Sequence, residues 1–163
     1  MARILIFYYS RTGNTEKMAQ LIAEGMQLVP GVKVELARVP GLQASLWLDY
    51  DALVAGVPVY YGMIPAAMKQ LFDESVEFHG QLKGKLGGAF ASSANVGGGN
   101  ETAILDIIHG WLIHGMLVMG DYSNDHYGPV SIGEPDKRAH EVCLRWGQTF
   151  AETAVRLFGP PTE

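Results

Sequence analysis

The sequence contains almost no cysteine. Cys143 is the one thiol in 163 residues, so the chain can form neither an internal disulfide nor a metal site built from several cysteines. A chain of this length suits one domain and buries a sufficient core without cross-links. We therefore expect a single domain over residues 1–163, and we predict no metal site.

Positive charge is also scarce. The chain has 12 Lys and Arg side chains against 17 Asp and Glu, which gives a formal net charge of −5 and a pI near 5.5. Proteins that bind a nucleic-acid backbone need clustered positive charge. A nucleic-acid partner is therefore not expected.

Long apolar runs are missing as well. No stretch approaches the roughly 20 apolar residues that a membrane-spanning helix needs, so we predict no membrane span. Met1 is followed by Arg3 and only a short apolar run, which is too little for the h-region of a signal peptide. We expect a cytoplasmic protein.

Strand-like and helix-like segments alternate along the chain. Apolar runs of four to eight residues are typical of buried strands, and apolar residues at helical spacing are typical of amphipathic helices. The predicted strands are residues 3–8, 32–39, 51–57, 86–91 and 116–119, and the predicted helices are residues 14–28, 65–72, 100–113 and 138–158. Such alternation predicts an α/β fold, a five-stranded parallel sheet with helices on both faces.

The first loop, residues 9–15, follows the first strand and leads into a helix. Unpaired backbone N–H groups and the helix dipole attract anions at such a position, and Ser10, Thr12 and Thr15 add hydroxyl donors. We interpret the loop as a site for a phosphate monoester. The alternative is ordinary helix capping by Asn14 or Thr12. The loop matches neither the Walker motif nor the Gly-x-Gly-x-x-Gly fingerprint.

The second loop, residues 58–64, follows the third strand. Tyr60 and Tyr61 come directly after that strand, where aromatic side chains can stack on a flat ring. Gly62 lets the backbone approach such a ring closely. The alternative is that the two tyrosines only close a surface.

The third loop, residues 92–99, follows the fourth strand. Its hydroxyls, Asn95 and the glycine N–H groups could meet the polar edge of a ring; the alternative is a glycine-rich connector before a helix capped by Asn100. Ligands of parallel sheets bind beyond the carboxyl ends of the strands, which is where all three loops lie. One phosphate site and two ring-binding loops together fit FMN.

The motifs in these loops resemble a known family. The chain resembles the flavodoxin-like FMN proteins, and among them the WrbA-type NAD(P)H:quinone oxidoreductases, in the segments SRTGNTEKMA, DYDALVAGVPVYYGMIPAAMKQLFDE, GKLGGAFASSANVGGGNET and YGPVSIGEPDKR. The resemblance implies a flavodoxin-like sheet of order 2-1-3-4-5 and non-covalently bound FMN. It also implies NADH or NADPH as electron donor, quinone-like acceptors, and a dimer or tetramer.

The resemblance assigns the FMN site to residues of the three loops. They are Ser10, Arg11, Thr12, Gly13, Asn14 and Thr15 at the phosphate; Pro58, Val59, Tyr60, Tyr61 and Gly62 against the ring; and Ser92, Ser93, Ala94, Asn95, Val96 and Gly97 at its polar edge. Tyr60 stands where the family has Arg, and Ile113 stands where it has His. The family also has a Trp after the helix that follows the third strand; the nearest aromatic residue here is Phe78. We interpret His114 as structural.

These motifs are compatible with more than one function. In an oxidoreductase, electrons pass from NAD(P)H through FMN to a quinone; the flavin supplies the chemistry, so no catalytic side chain is predicted. The alternative is a flavodoxin that carries single electrons between proteins and presents acidic residues near the ring, for which Asp121, Asp125 and Glu101 are the nearest candidates. A flavin-binding module with a regulatory or scaffolding role is a third possibility. The apolar segment 46–48 is either an interface or a lid over the core.

Overall fold

A computed structural model of the chain describes residues 1–159. The last residues of the predicted domain, 160–163, lie outside that range. The strands are β1 (Ala2–Tyr9), β2 (Val32–Val39), β3 (Ala52–Pro58), β4 (Leu86–Ser93), β5 (Leu117–Val118) and β6 (Val130–Ile132). The α-helices are α1 (Asn14–Gln27), α2 (Ala66–Glu74), α3 (Asn100–Ile113) and α4 (Lys137–Phe158), and short 3-10 helices span Ala44–Asp49 and Ser75–Phe78.

The strands form one parallel sheet in the order β2-β1-β3-β4-β5. The predicted order 2-1-3-4-5 is therefore confirmed. The sixth strand, β6, was not predicted, and it also pairs with β4. Strand β5 pairs with the beginning of β4 at Leu86 and β6 with its end at Ser93, so two short strands share one edge position and residues 119–129 lie between them.

Strand β1 explains why an unbroken apolar run marks the centre of this sheet. Ile4 and Ile6 belong to the apolar cluster under α1 and α4. Leu5 and Phe7 belong to the cluster on the other face, under α2 and α3. Successive side chains of a strand point to opposite faces, so a sheet covered on both sides needs apolar residues at every position.

Helices α1 and α4 pack with their backbones in contact, and glycines make this possible. A Cβ atom added at Gly25 would lie 2.0 Å from the carbonyl oxygen of Leu144, and one at Gly147 would lie 2.3 Å from that of Ile22. Neither position has space for a side chain. The pair of glycines therefore sets the spacing of the two helices on this face.

The apolar segment 46–48 is a lid over the core. Trp47 is fully buried; its ring stacks on Phe7 at 5.1 Å and lies edge-on to Trp111 at 5.3 Å. The Lys85 ammonium holds the segment by donating to the carbonyl oxygens of Leu48 at 2.7 Å and Tyr50 at 2.5 Å. Burial lowers the pKa of Lys85.

None of the helices within residues 1–159 has both the length and the apolar character needed to cross a membrane.

Candidate functional site

The three predicted loops start at one edge of the sheet because their strands are in register. Pro58 at the end of β3 pairs with Ser92 near the end of β4, and the Val59 N–H donates to the Ser92 carbonyl at 2.8 Å. The hydroxyls of Ser92 and Thr15 lie 2.9 Å apart. The first, second and third loops are therefore neighbours, as the site prediction requires.

The first loop leaves the N-terminus of α1 open. The N-cap residue is Gly13, in the left-handed conformation with φ 98°, so neither of the predicted capping residues caps the helix. The Ser10 hydroxyl oxygen accepts from the N–H groups of Gly13 at 3.2 Å and Glu16 at 3.3 Å. Within the described chain, the N–H groups of Thr12, Asn14 and Thr15 donate to no protein acceptor.

Open space surrounds this turn. A Cβ atom built on Gly13 would have no heavy atom within 4 Å, and Arg11 and Thr12 are exposed. Unpaired N–H groups at the positive end of a helix suit a phosphate group. The unpaired N–H groups and the exposed Thr12 of the first loop therefore fit the phosphate of the cofactor that the family resemblance implies, whereas the Thr15 hydroxyl is buried against Ser92.

Three residues outside the predicted set support the first loop. The Tyr8 hydroxyl donates to Glu16 Oε1 at 2.9 Å, and burial, followed by the hydrogen bond and charge of Glu16, raises the pKa of Tyr8 to about 12. The Arg38 guanidinium donates to the Ser10 carbonyl at 3.0 Å and lies 3.5 Å from Glu16 Oε2. The sequence gives no local signal for Arg38, because it lies in β2 and only the pairing of Tyr8 with Arg38 brings it here.

The second loop forms a tight turn that presents Tyr61 to solvent. The backbones of Tyr60 and Met63 exchange hydrogen bonds of 2.9 and 3.0 Å. Between them, Tyr61 and Gly62 both have positive φ, 53° and 78°, as in a type I′ turn. Tyr61 is completely exposed, at 101%, so it closes no surface of the protein. Tyr60 lies edge-on to Tyr9 at 6.0 Å.

Helix α3 holds the second loop in place. The Thr102 hydroxyl donates to the Gly62 carbonyl at 2.6 Å, and the Ile64 N–H donates to Asp106 Oδ2 at 3.2 Å. A Cβ atom at Gly99 would lie 2.6 Å from the Gly62 Cα atom. The second and third loops therefore touch at a point where only glycine fits.

The third loop has a buried part and an exposed part. Ser92 and Ser93 are the last residues of β4 and are buried. The Ser93 hydroxyl lies 2.8 Å from Asn100 Oδ1, so the Asn100 side chain does not cap α3. The N-cap residue is Gly99, at φ 100°. Ala94, Asn95, Val96 and Gly97 are exposed and are the part of this loop that a ligand can reach.

A depression of about 330 Å³ lies beside the third loop. It is lined by Gly97, Gly99, Asn100, Glu101, Thr102, Val130 and Ile132. Gly97 is the one predicted site residue in this lining. This depression therefore borders the third loop and not the first two.

The carboxylates near this edge are mostly paired with arginine or lysine. Asp121 forms an ion pair with Arg145, and Asp125 forms one with Arg138 at 2.8 Å. Burial by itself raises the pKa of Asp121. The hydrogen bonds from Arg145 and Ser123, together with the Arg145 charge, outweigh burial, so the pKa is lowered overall. Glu134 is paired with Lys17, which lowers its pKa.

Glu101, in the first turn of α3, forms no ion pair within residues 1–159. Of the three acids that a carrier would use, Glu101 is thus the one without a partner cation. The edge of the sheet therefore carries less uncompensated negative charge than its acidic residues suggest.

Comparison with known sequences identifies the fold family. The sequence profile of the flavodoxin family matches residues 6–102. The chain belongs to the flavodoxin family. The resemblance expected from the loop motifs is therefore confirmed.

Relatives of this flavodoxin-family chain carry two different names. The flavodoxin of Aquifex aeolicus is 39% identical over 160 residues, which cover 93% of this chain and 86% of that protein. The NAD(P)H dehydrogenase (quinone) of Paraburkholderia phymatum is 34% identical over 200 residues, which cover 98% of this chain and 100% of that protein. That alignment is longer than the 163 residues of this chain, so it contains insertions relative to it.

A solved structure supports the fold. The flavodoxin, WrbA-like protein from Agrobacterium tumefaciens superimposes with a TM-score of 0.83 at 22% identity. The match covers 96% of this chain and 99% of that one.

Proposed function

We propose that this flavodoxin-family chain binds FMN non-covalently in the cleft between the three loops. The observation that carries the proposal is the open N-terminus of α1, with its unpaired N–H groups at Thr12, Asn14 and Thr15. The Ser10 hydroxyl accepts two N–H groups, so its own proton remains to be donated to a phosphate oxygen. The phosphate is then held without a lysine.

The other two loops would orient the flavin ring. Tyr61 offers an exposed aromatic face, and the neighbouring Tyr60 lies edge-on to Tyr9. The exposed residues of the third loop, from Ala94 to Gly97, offer backbone N–H groups to the polar edge of the ring. When bound, FMN supplies the electron transfer, and the protein supplies binding and orientation.

We further propose that the protein is an oxidoreductase that passes electrons from NADH or NADPH through FMN to a quinone-like acceptor. Within residues 1–159, the pairing of Asp121, Asp125 and Glu134 with cations leaves little uncompensated negative charge at this edge for a basic protein partner. The exposed side chains of Tyr61, Met63 and Val96 suit a flat, apolar molecule instead. Full-length relatives named NAD(P)H dehydrogenase (quinone) support the same activity.

A one-electron carrier is the second candidate. The Aquifex aeolicus relative named flavodoxin has a higher identity, 39%, than the quinone dehydrogenase relative, 34%. In a carrier, the same cleft would hold FMN, but the donor and the acceptor would both be proteins.

An anaerobic titration separates the two functions. The FMN-loaded protein is titrated with NADH and, separately, with NADPH, while the visible flavin band is followed; free FMN at the same concentration is the control. We expect one nucleotide to bleach the band in a single two-electron step, faster than in the control. No bleaching by either nucleotide, with dithionite reducing the protein in two one-electron steps, would favour the carrier.

The phosphate assignment is tested by Thr12→Val. Thr12 is exposed, so the change removes a hydroxyl donor without affecting the core. A hydrogen bond to a charged group contributes about 1.5–3 kcal/mol; we expect FMN affinity to fall about tenfold or more while riboflavin affinity, measured by fluorescence quenching, stays the same. Equal losses for both flavins would contradict a phosphate site at this loop.

A further inference from the structure

We propose that Arg38 is a positioning residue for the phosphate of FMN, although it lies in β2 and outside all three loops. Its guanidinium would keep the first loop in an anion-accepting shape and offset the one carboxylate in the first turn of α1. This inference rests on the proposed FMN binding, and it adds a residue that none of the loop motifs contains.

Arg38 contacts the carbonyl group of Ser10 in the first loop. A carbonyl oxygen that faced the open N–H groups would repel a phosphate. Arg38 Nη2 donates to this oxygen at 3.0 Å, so the carbonyl is directed toward β2. The Ser10 hydroxyl oxygen meanwhile accepts from Gly13 and Glu16. Both polar groups of Ser10 are thus fixed, one by Arg38 and the other by α1.

Arg38 also contacts Glu16, whose negative charge lies near the open helix end. Glu16 lies in the first turn of α1, and a carboxylate near the open helix end opposes the binding of a phosphate dianion. Each of its oxygens has a partner: Tyr8 donates to Oε1 at 2.9 Å, and Arg38 Nη1 lies 3.5 Å from Oε2. Arg38 therefore offsets the charge that would otherwise weaken the anion site.

Arg38 is not needed for the core. Its side chain is 57% exposed on β2, which is an edge strand of the sheet. A surface ion pair of this kind contributes little to folding. The effect of Arg38 should therefore appear in ligand binding rather than in stability.

The experiment measures the affinity for FMN and for riboflavin by fluorescence quenching in five proteins. They are the wild type, Arg38→Gln, Arg38→Lys, Glu16→Gln and the double variant Arg38→Gln/Glu16→Gln. Riboflavin has the same ring without the phosphate and is the matched ligand control. Thermal unfolding of each flavin-free protein shows whether the fold is kept.

We expect Arg38→Gln to weaken FMN binding about tenfold and riboflavin binding less than twofold. Arg38→Lys should give an intermediate loss, because an ammonium keeps the charge but lacks the fork that reaches both Ser10 and Glu16. Glu16→Gln should strengthen FMN binding, and in the double variant it should restore part of the lost affinity. The loss in Arg38→Gln should also shrink at high salt.

Two results would overturn the role of Arg38 while leaving the proposed function in place. In both, the wild type binds FMN; Arg38→Gln then either binds FMN as tightly as the wild type does, or loses FMN and riboflavin affinity equally. A wild-type protein that does not bind FMN would instead overturn the proposed function itself.

Discussion

Tyr61 combines an exposed aromatic ring with a backbone conformation that side chains rarely adopt. Its φ of 53° lies in the left-handed region, which costs a residue with a Cβ atom roughly 1–2 kcal/mol. Gly62, the next residue in the turn, has no such cost. Strain of this kind is found at ligand sites, where the surrounding structure maintains it. At Tyr61 the hydrogen bonds of the turn and the contact with α3 maintain it.

Replacing Tyr61 separates the strain from the ring. Tyr61→Gly should raise the free energy of unfolding of the flavin-free protein by about 1 kcal/mol and weaken FMN binding by about 1 kcal/mol. Tyr61→Ala is the matched control, because it loses the ring but keeps the strained φ. It should bind FMN as weakly as the glycine variant without the gain in stability, as judged by urea denaturation. Unchanged FMN affinity in both variants would remove Tyr61 from the site.

His114 is buried with one nitrogen unpartnered. The Ser75 hydroxyl donates to the Phe72 carbonyl at 2.7 Å, so its oxygen accepts from His114 Nε2–H, also at 2.7 Å. Within the described residues, His114 Nδ1 is buried and has no hydrogen-bond partner. Burial, together with the nearby His79, lowers the pKa of His114. The neutral ring is therefore the form that the fold accepts, which agrees with a structural role for this residue.

This burial predicts a loss of stability in mild acid. The unfolded chain takes up a proton at His114 near pH 6.5, but the folded protein does so only at lower pH. The stability that the neutral ring contributes is therefore complete above about pH 6.5 and decreases as the pH falls below that value. His114→Gln should make the free energy of unfolding less dependent on pH between about 8 and 5.5. His140→Gln, at an exposed position, is the control. An undiminished pH dependence in His114→Gln would contradict the prediction.

At the residue level the sequence marked the loops themselves, because turn-forming composition is local. The left-handed Gly13 and the exposed Tyr61 both lie in segments whose composition marked them as loops. Arg38 and Glu16 could not be found in this way, because their contacts depend on how β2 pairs with β1. The assignment of the loop residues to FMN stays a prediction until a ligand is measured.

At the scale of elements, the contact of α1 with α4 is the most demanding packing in the fold. In an exposed helix, Gly→Ala stabilises by about 1 kcal/mol because alanine is the better helix former. At Gly147 the added methyl group would lie 2.3 Å from the Ile22 carbonyl oxygen. Backbone atoms cannot move aside as a flexible side chain can, so the clash outweighs the gain in helix propensity.

Gly147→Ala should therefore lower the free energy of unfolding by about 1–3 kcal/mol. The measurement is urea denaturation followed by circular dichroism. Gln148→Ala, at the exposed neighbouring position, should stay within about 0.5 kcal/mol of the wild type. A Gly147→Ala protein more stable than the wild type would mean that the two helices lie farther apart than described.

The elements that the sequence predicted best have clear physical boundaries. The predicted bounds of β2 and α3 match the structure, because glycines or a proline border each of them. Strand β4 was predicted to end at Ala91 but continues through Ser92 and Ser93, whose hydroxyls find partners inside the protein. Strand β6 was missed because three residues around Ser131 carry no periodic pattern, and only their pairing with β4 makes them a strand.

At the scale of the whole molecule, the distribution of charge distinguishes the two proposed functions. The net charge of −5 would attract a basic protein, but the acids nearest the cleft are mostly paired. Electrostatic steering requires a concentrated field at the site of contact. The alternation of strands and helices predicted a parallel sheet and the family resemblance implied its order, whereas this pairing depends on long-range contacts and could not be predicted.

The two proposed functions predict different salt dependences, because screening weakens steering only for a charged acceptor. With NAD(P)H in excess, the rate of reduction of an uncharged benzoquinone should change less than about twofold between about 0.02 M and about 0.3 M salt. Cytochrome c, a basic protein acceptor, should be reduced slowly at every salt concentration. Fast reduction of cytochrome c that collapses with added salt would favour the carrier.

The burial of the tryptophans also has a spectroscopic consequence. All 3 tryptophans of the sequence are fully buried. Trp47 and Trp111 lie on the α2 and α3 side of the sheet, and Trp146 lies on the α1 and α4 side. Each layer thus contains its own native fluorophore. Replacing Trp47 and Trp111 with phenylalanine leaves only the emission of Trp146, and replacing Trp146 leaves only that of the other two. The unfolding of the two layers can then be followed separately without an added dye.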